Sequence, residues 1–182
     1  MPLLLGNLSW MSLNIFLALM GLFFSFFLNT KNSLFKAILF ILWFLFIPNT
    51  IYLLTDIQYF PEQFFRLEFI SQIMLIIQYA LLLSVGIITY YLGFYNFEKF
   101  IKKSGLKFLA FFTLIIFNYL IAFGVVLGKL ERIHSWFVFT SPQKVIASSL
   151  SLLNFETLFL VLFFGSAFNV LYFLLKRRFN VR

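Results

Sequence analysis

The residues of this chain that could do chemistry are few, and they gather in two places. Between Trp43 and Asp56 the run WFLFIPNTIYLLTD closes an apolar segment with Pro48, Asn49, Tyr52, Thr55 and Asp56. Further on, KLERIHSW brings together Lys129, Glu131, Arg132, His134, Ser135 and Trp136, and Glu156 follows. Two chemistries suit these residue types. A carboxylate or an imidazole can serve as a general acid or base. Lysine and arginine beside amide and phenol donors can instead hold an anion, since charge-assisted hydrogen bonds are the strong ones. Other chemistries are closed off. The chain has no cysteine and one histidine, which excludes thiolate nucleophiles, disulfides and thiolate metal sites and leaves no histidine-based ligand set. No H-E-x-x-H, G-x-S-x-G or phosphate-loop pattern occurs, and no metal or cofactor is expected.

The solvent around these residues follows from composition. Of 182 residues, 63% are hydrophobic and 11% charged, with a mean hydropathy of +1.01. A soluble domain carries about a quarter charged residues. A water-exposed surface cannot be built from so few, so a multi-pass membrane protein is expected, all-α and forming one bundle over residues 1–182. The net charge of +8 does not signal nucleic acid. Its bases flank apolar runs, as membrane orientation and headgroup contact require. The 30 phenylalanines read as lipid-facing filler.

Five apolar runs are predicted to span as helices, at about 10–28, 34–54, 69–94, 106–127 and 150–175. The first has no basic lead-in and no small-residue cleavage pattern after it, so it is expected to remain a helix. Ser33 is placed as the N-cap of the second. Pro48 lies inside that helix, where it removes a donor and pushes on the carbonyl of Phe44, predicting a kink or an unwound end. Asn49 is the nearest amide to cover the freed carbonyl. Helix four ends on Gly124-x-x-x-Gly128, a small-residue spacing that lets backbones approach. Ser141-Pro142 reads as the N-cap and first position of a short interfacial helix. Gln78, Asn118 and Asn169 read as hydrogen-bonding ties between helices. Trp10 and Trp136 suit an aromatic belt; Trp43 lies too deep for one.

Of the fourteen lysines and arginines, ten fall in the first and third connections and the C-terminal segment, and four in the second and fourth connections. The positive-inside rule then predicts an outside N-terminus and a cytoplasmic C-terminus. The ends of helices two and four emerge on the same outer face, where the two polar segments are expected to converge. If the chain stays helical past Pro48, Asn49, Tyr52 and Asp56 fall at i, i+3 and i+7 on one face. Asp56 would then pair with Lys129 or Arg132, with helices two and four direct neighbours and Gly124 and Gly128 giving them room. The ordinary alternative is that Asp56 caps a turn, the bases reach headgroups, and the glycines face helix five or a second protomer. Glu156 enters helix five shallowly, and a carboxylate there costs much less than the about 2.5–3.5 kcal/mol of the bilayer centre. It is either paired and cavity-facing or simply interfacial. His134 beside Trp136 is as readily an interfacial residue as a catalyst.

These two segments also carry a resemblance. Trp43, Leu45, Phe46, Pro48, Asn49, Tyr52, Thr55 and Asp56 match a W-x-L-F-x-P-N-x-x-Y-x-x-T-D signature in full. Gly124, Leu127, Gly128, Lys129, Arg132, His134, Ser135 and Trp136 follow a G-x-x-L-G-R-x-x-R-x-N-S-W-D signature. The departures are Lys129 for arginine, His134 for asparagine and Phe137 for an acid, and lysine does not make arginine's bidentate fork. In both segments the chain resembles a bacterial membrane-protein family known as domain of unknown function thirteen-sixty-one. The resemblance implies a multi-pass protein of the bacterial cytoplasmic membrane and lends weight to the outer-face cluster, but it brings no activity.

Three functional classes stay open. The protein binds or moves an anionic ligand such as a lipid headgroup, with Lys129 and Arg132 supplying charge and Asn49 and Tyr52 hydrogen bonds. Alternatively it is a membrane-embedded enzyme with Asp56, Glu156 or His134 as acid or base. The third class is an accessory or structural subunit, in a homo-oligomer or beside other proteins. The first is preferred, because the bases are present and a catalytic pattern is not. The lipid bilayer is the partner that composition demands.

Overall fold

The computed structural model describes residues 2–179. Among them every regular element is helical: α1 (Pro2–Phe26), α2 (Ser33–Phe46), α3 (Pro48–Thr55), a 3-10 turn over Asp56–Tyr59, α4 (Phe60–Phe64), α5 (Phe69–Lys103), a 3-10 turn over Lys107–Leu109, α6 (Ala110–Glu131), α7 (Phe137–Thr140), α8 (Pro142–Ser151) and α9 (Phe155–Phe179). Among the described residues five stretches are long and apolar enough to cross a membrane: Leu3–Phe26, Ser33–Phe64, Phe69–Lys103, Lys107–Glu131 and Phe155–Phe179. A helix pairs its backbone groups internally, which hydrocarbon demands. Phe16, Ile41, Ile77, Phe112 and Phe163 stand exposed along these helices, as a lipid-facing surface requires. This is a multi-pass membrane protein.

Local causes shift the helix bounds from the expected ones. α1 starts at Pro2 and not near residue 10; Asn7, the polar residue in its first turns, is satisfied by an amide of α4. Asn32 caps α2 in place of Ser33, its Oδ1 accepting the Phe35 N–H at 3.1 Å. α5 runs past residue 94 to Lys103 because nothing before Gly105 breaks it. Lys102 and Lys103 occupy its last turn, where cations complement the helix dipole, and Gly105 takes the φ of +82° that follows. α9 starts at Phe155 and not near 150, behind Asn154, whose Oδ1 accepts the Thr157 N–H at 2.9 Å. Pro142 opens α8 behind Ser141 as expected, but the serine side chain makes no capping bond.

The chain divides into two compact units, Met1–Asn96 and Phe97–Arg182, with α5 running through the division. In the first unit α1 lies along α2 and α3. Its core gathers Leu4, Met11, Ala18, Leu53, Leu75, Tyr79 and Leu82. Gln78 ties α5 to α1 through a bond from Nε2 to the Leu4 carbonyl at 3.2 Å.

In the second unit α6 packs along α9. Phe111 meets Phe173 and Tyr119 meets Ser166, so the two helices run antiparallel. Gly165 permits the approach, since a Cβ there would lie 2.1 Å from the Tyr119 ring. Asn118 donates to Asn169 Oδ1 at 2.9 Å, the interhelical tie that its polarity in an apolar helix predicts.

Candidate functional site

The first signature segment owes its shape to Pro48. α2 ends at Phe46, and α3 restarts with Pro48 in its first turn, where a missing N–H is tolerated. The residues that follow cover the carbonyls at the break. Asn49 Nδ2 donates to the Phe46 oxygen at 2.9 Å. Thr50, fully buried, donates to the Ile47 oxygen through its hydroxyl at 2.7 Å and its N–H at 3.1 Å. Asn49 thus covers the Phe46 carbonyl, three residues back, which is within the reach of a short polar side chain.

Room for the break comes from two isolated glycines. A Cβ at Gly21 would lie 2.9 Å from the Phe46 oxygen, and one at Gly86 3.0 Å from the Thr50 oxygen. Gly124 and Gly128, expected to give room of the same kind, lie half-buried on α6, and their part in the packing stays a proposal.

Beyond the break, α3 leads through Tyr52 and Thr55 into Asp56. Tyr52 is half-buried, and the Thr55 hydroxyl donates to the Tyr52 carbonyl at 2.7 Å. Asp56 is 1% exposed and accepts from Asn14 Nδ2 at 3.3 Å. A polar network stands on the same face of α1. Asn7 and Gln63 exchange amide bonds at 2.7 and 3.2 Å, the Trp10 indole donates to Asn7 Oδ1 at 3.0 Å, and the Tyr79 hydroxyl donates to Gln63 Oε1 at 3.2 Å. The rings of Tyr59 and Tyr79 stand edge-on to Trp10. Asn7, Trp10 and Asn14 fall at i, i+3 and i+7, so one stripe of α1 presents all three. That spacing is the signal the sequence carries for Asn7, whereas Gln63 on α4 and Tyr79 on α5 join the network only through the fold and have no local signal.

The second signature segment starts where α6 ends. Arg132 is its C-cap with a left-handed φ of +52°, a conformation that costs a residue with a Cβ about 1–2 kcal/mol. Its side chain is exposed and, among the described residues, makes no hydrogen bond or ion pair. Lys129 is half-buried in the last turn of α6, and Glu131 accepts from the Ser148 hydroxyl at 3.4 Å. His134 stacks flat on Trp136 with ring centroids 4.4 Å apart, and Phe137 stands edge-on to both. Lys144 Nζ lies 5.1 Å over the Phe137 ring. Partial desolvation, reinforced by the charge of Lys144, pushes the His134 pKa below the usual histidine value. The imidazole is therefore neutral at pH 7. Ser135 is half-buried beside it in sequence. Glu156 stands exposed in the first turn of α9, where a carboxylate meets the positive end of the helix dipole.

The structure thus brings Asp56 to Asn14 within the first unit and His134 to Trp136 within the second. A pairing of Asp56 with Lys129 stays a proposal, whereas Arg132 makes no ion pair among the described residues.

A third polar centre was missed altogether. Glu98 is 2% exposed, and its carboxylate receives the Tyr172 hydroxyl at 2.5 Å, Lys176 Nζ at 2.6 Å and Lys102 Nζ at 2.5 Å. Its neighbours in sequence are lysines, so it reads as part of a solvated basic connection. The spacing of Glu98 to Lys102 and of Tyr172 to Lys176, four residues each on one helix face, was the signal. No group of three or more metal-ligating side chains gathers among the described residues.

The family model described as "Protein of unknown function (DUF1361)" matches residues 13–171. The chain belongs to this family. No curated protein matches the chain, and no solved structure does. Function must therefore be argued from the side chains themselves.

Proposed function

We propose that the protein binds or moves an anionic ligand at the segment after α6, with a lipid or polyprenyl phosphate headgroup the chemistry that suits it. Arg132 carries the proposal. Its guanidinium is exposed and without a partner among the described residues, while the adjacent acid Glu131 is engaged by Ser148. Lys129 adds charge one turn earlier, and the His134–Trp136–Phe137 rings suit the headgroup depth of a membrane. With the N-terminus outside, as the distribution of bases predicts, this segment and the Asn49–Asp56 segment both leave helices on the outer face of a bacterial cytoplasmic membrane. Asn49 and Tyr52 then add hydrogen bonds, and Asp56 pairs with Lys129, leaving Arg132 to the ligand. Mass spectrometry of lipid retained by the purified full chain tests this. An anionic lipid should accompany the wild type and be depleted several-fold in Arg132→Gln. Equal retention in both would overturn the proposal.

The burial of Asp56 favours a second reading, an embedded enzyme that uses this carboxylate as acid or base. The same spectra separate the two with Asp56→Asn. A binder should retain the same lipid in a smaller amount. An enzyme should trap an unconverted molecule that the wild type does not carry.

A further inference from the structure

The packing of α6 on α9 leaves an open groove of about 520 Å³, lined by Phe111, Ile115, Tyr119, Val170 and Phe173, with Arg177 among its walls. The antiparallel register places Tyr119 and Ser166 toward one end and Phe111 and Arg177 toward the other. From Phe111 to Tyr119 the groove runs about 12 Å along α6 at 1.5 Å per residue. Its volume falls in the range of about 300–1,000 Å³ typical of small-molecule sites.

The polar groups along its walls are already engaged. Tyr119 and Ser166 hydrogen-bond each other at 3.1 Å, and Asn169 donates to the Gly165 carbonyl at 2.9 Å while accepting from Asn118. An occupant therefore meets apolar walls for most of the length. The end at Arg177 is different. Lys176 and Lys102 are both spent on Glu98, whereas Arg177, next in sequence, is exposed and makes no hydrogen bond or ion pair among the described residues. Lys107, which precedes Phe111 by four residues, is likewise exposed and without a partner. An apolar slot thus terminates in unspent positive charge, on helices whose exposed faces are built for lipid.

We propose that this groove holds an acyl chain of one anionic phospholipid, whose phosphate is taken by Arg177 with Lys107 adding charge at the same helix end. Arginine suits the role, because its planar fork matches phosphate oxygens in a way that lysine does not. A zwitterionic headgroup would bring its own cation against Arg177 and Arg178, and is disfavoured. The site lies at the opposite end of α6 from Arg132, about 30 Å away along the helix, and does not depend on the ligand proposed there.

Native mass spectrometry of the full chain carrying Arg132→Gln, titrated with a phosphatidylglycerol and a phosphatidylcholine of identical acyl chains, tests the groove alone. Phosphatidylglycerol adducts should exceed phosphatidylcholine adducts several-fold. Arg177→Gln should bring the two lipids level. Val170→Trp, which fills the groove from an exposed position and changes no charge, should also abolish the preference, and Val170→Phe is the milder substitute if the tryptophan disturbs folding. No preference in the parent protein would overturn the proposal. So would a preference lost in Arg177→Gln but kept when the groove is filled, since that is surface attraction alone. A dimer that dissociates in Val170→Trp, with lipid unchanged, would show a second copy in the groove and equally overturn it.

Discussion

Asp56 and Glu98 are both buried carboxylates, exposed by 1% and 2%, and each is reached from another helix, Asp56 from α1 and Glu98 from α9. Glu98 is gripped from two helices by a phenol and two ammonium groups at 2.5–2.6 Å. An ammonium can only donate, so this arrangement pins the ionised form and leaves the carboxylate little else to do. Asp56 accepts an amide at 3.3 Å beside a network of amides, an indole and a phenol. Amides and hydroxyls both donate and accept, and they can reorganise around a changed proton or an arriving ligand. Burial alone therefore does not mark a functional acid. Glu98 ties α5 to α9, whereas Asp56 is the acid proposed above for the outer-face cluster.

The largest effect should come from cutting the tie. Breaking a buried ion pair by removing one partner costs about 3–5 kcal/mol. The side chains of Lys102 and Lys176 are 46% and 26% exposed, and both can reach water, so Glu98→Ala belongs at the low end, about 3 kcal/mol. Glu98→Gln keeps an acceptor for the buried Tyr172 hydroxyl and should lose less. Thermal unfolding in detergent reads both. A Glu98→Ala protein that melts with the wild type would mean that this carboxylate does not hold α5 to α9.

A smaller loss should follow from disturbing the break on which Asp56 depends. Gly21→Leu drives a side chain into the Phe46 and Ile47 backbone, where even a Cβ would sit at 2.9–3.2 Å. Overpacking of this kind costs about 1–3 kcal/mol, more than the roughly 1 kcal/mol gained by replacing a helical glycine. Gly6 lies on the same helix with nothing within 4 Å of its would-be Cβ, so Gly6→Leu is the control and should be neutral or slightly stabilising. Equal melting temperatures for the two variants would mean that the break does not rest on Gly21.

These two sites also mark how far the sequence could be read. Membrane class, helical architecture and five spanning stretches follow from apolar runs long enough to cross, and Pro48 announces its own break. Those features are local. What escaped depends on partners distant in sequence. Gly21 and Gly86 look like any glycine until the Phe46 and Thr50 carbonyls arrive beside them. Glu98 looks solvated until α5 is seen to run on to Lys103 and α9 to bring Tyr172 against it. The bond from Asn49 to the Phe46 carbonyl follows from the reach of a short side chain, which the proline's lost donor alone does not reveal. At Asp56, periodicity placed the acid on a helix face with Asn49 and Tyr52, while its bond to Asn14 crosses to another helix.

The smallest effect concerns a third titratable group, His134, and asks whether its surroundings are pinned or adaptable. Partial desolvation and the Lys144 charge lower its pKa. A flat stack on Trp136 works the other way, since an indole face favours a cation. A pKa below the unfolded value of about 6.5 makes the neutral imidazole the favoured folded form. Its contribution to stability is then present above that value. It is lost as pH falls through it towards the folded pKa, because the unfolded chain takes up the proton first. Anion binding at Arg132 should accordingly be flat between pH 7 and 8, with no help from a charged imidazole. Tryptophan fluorescence followed from pH 8 to 5 provides the measurement, using the component that His134→Gln abolishes. Its midpoint should lie below 6.5, and Lys144→Gln should move it upward. A midpoint above 6.5 would mean that the indole face outweighs desolvation, and that His134 belongs among the cations offered to the ligand.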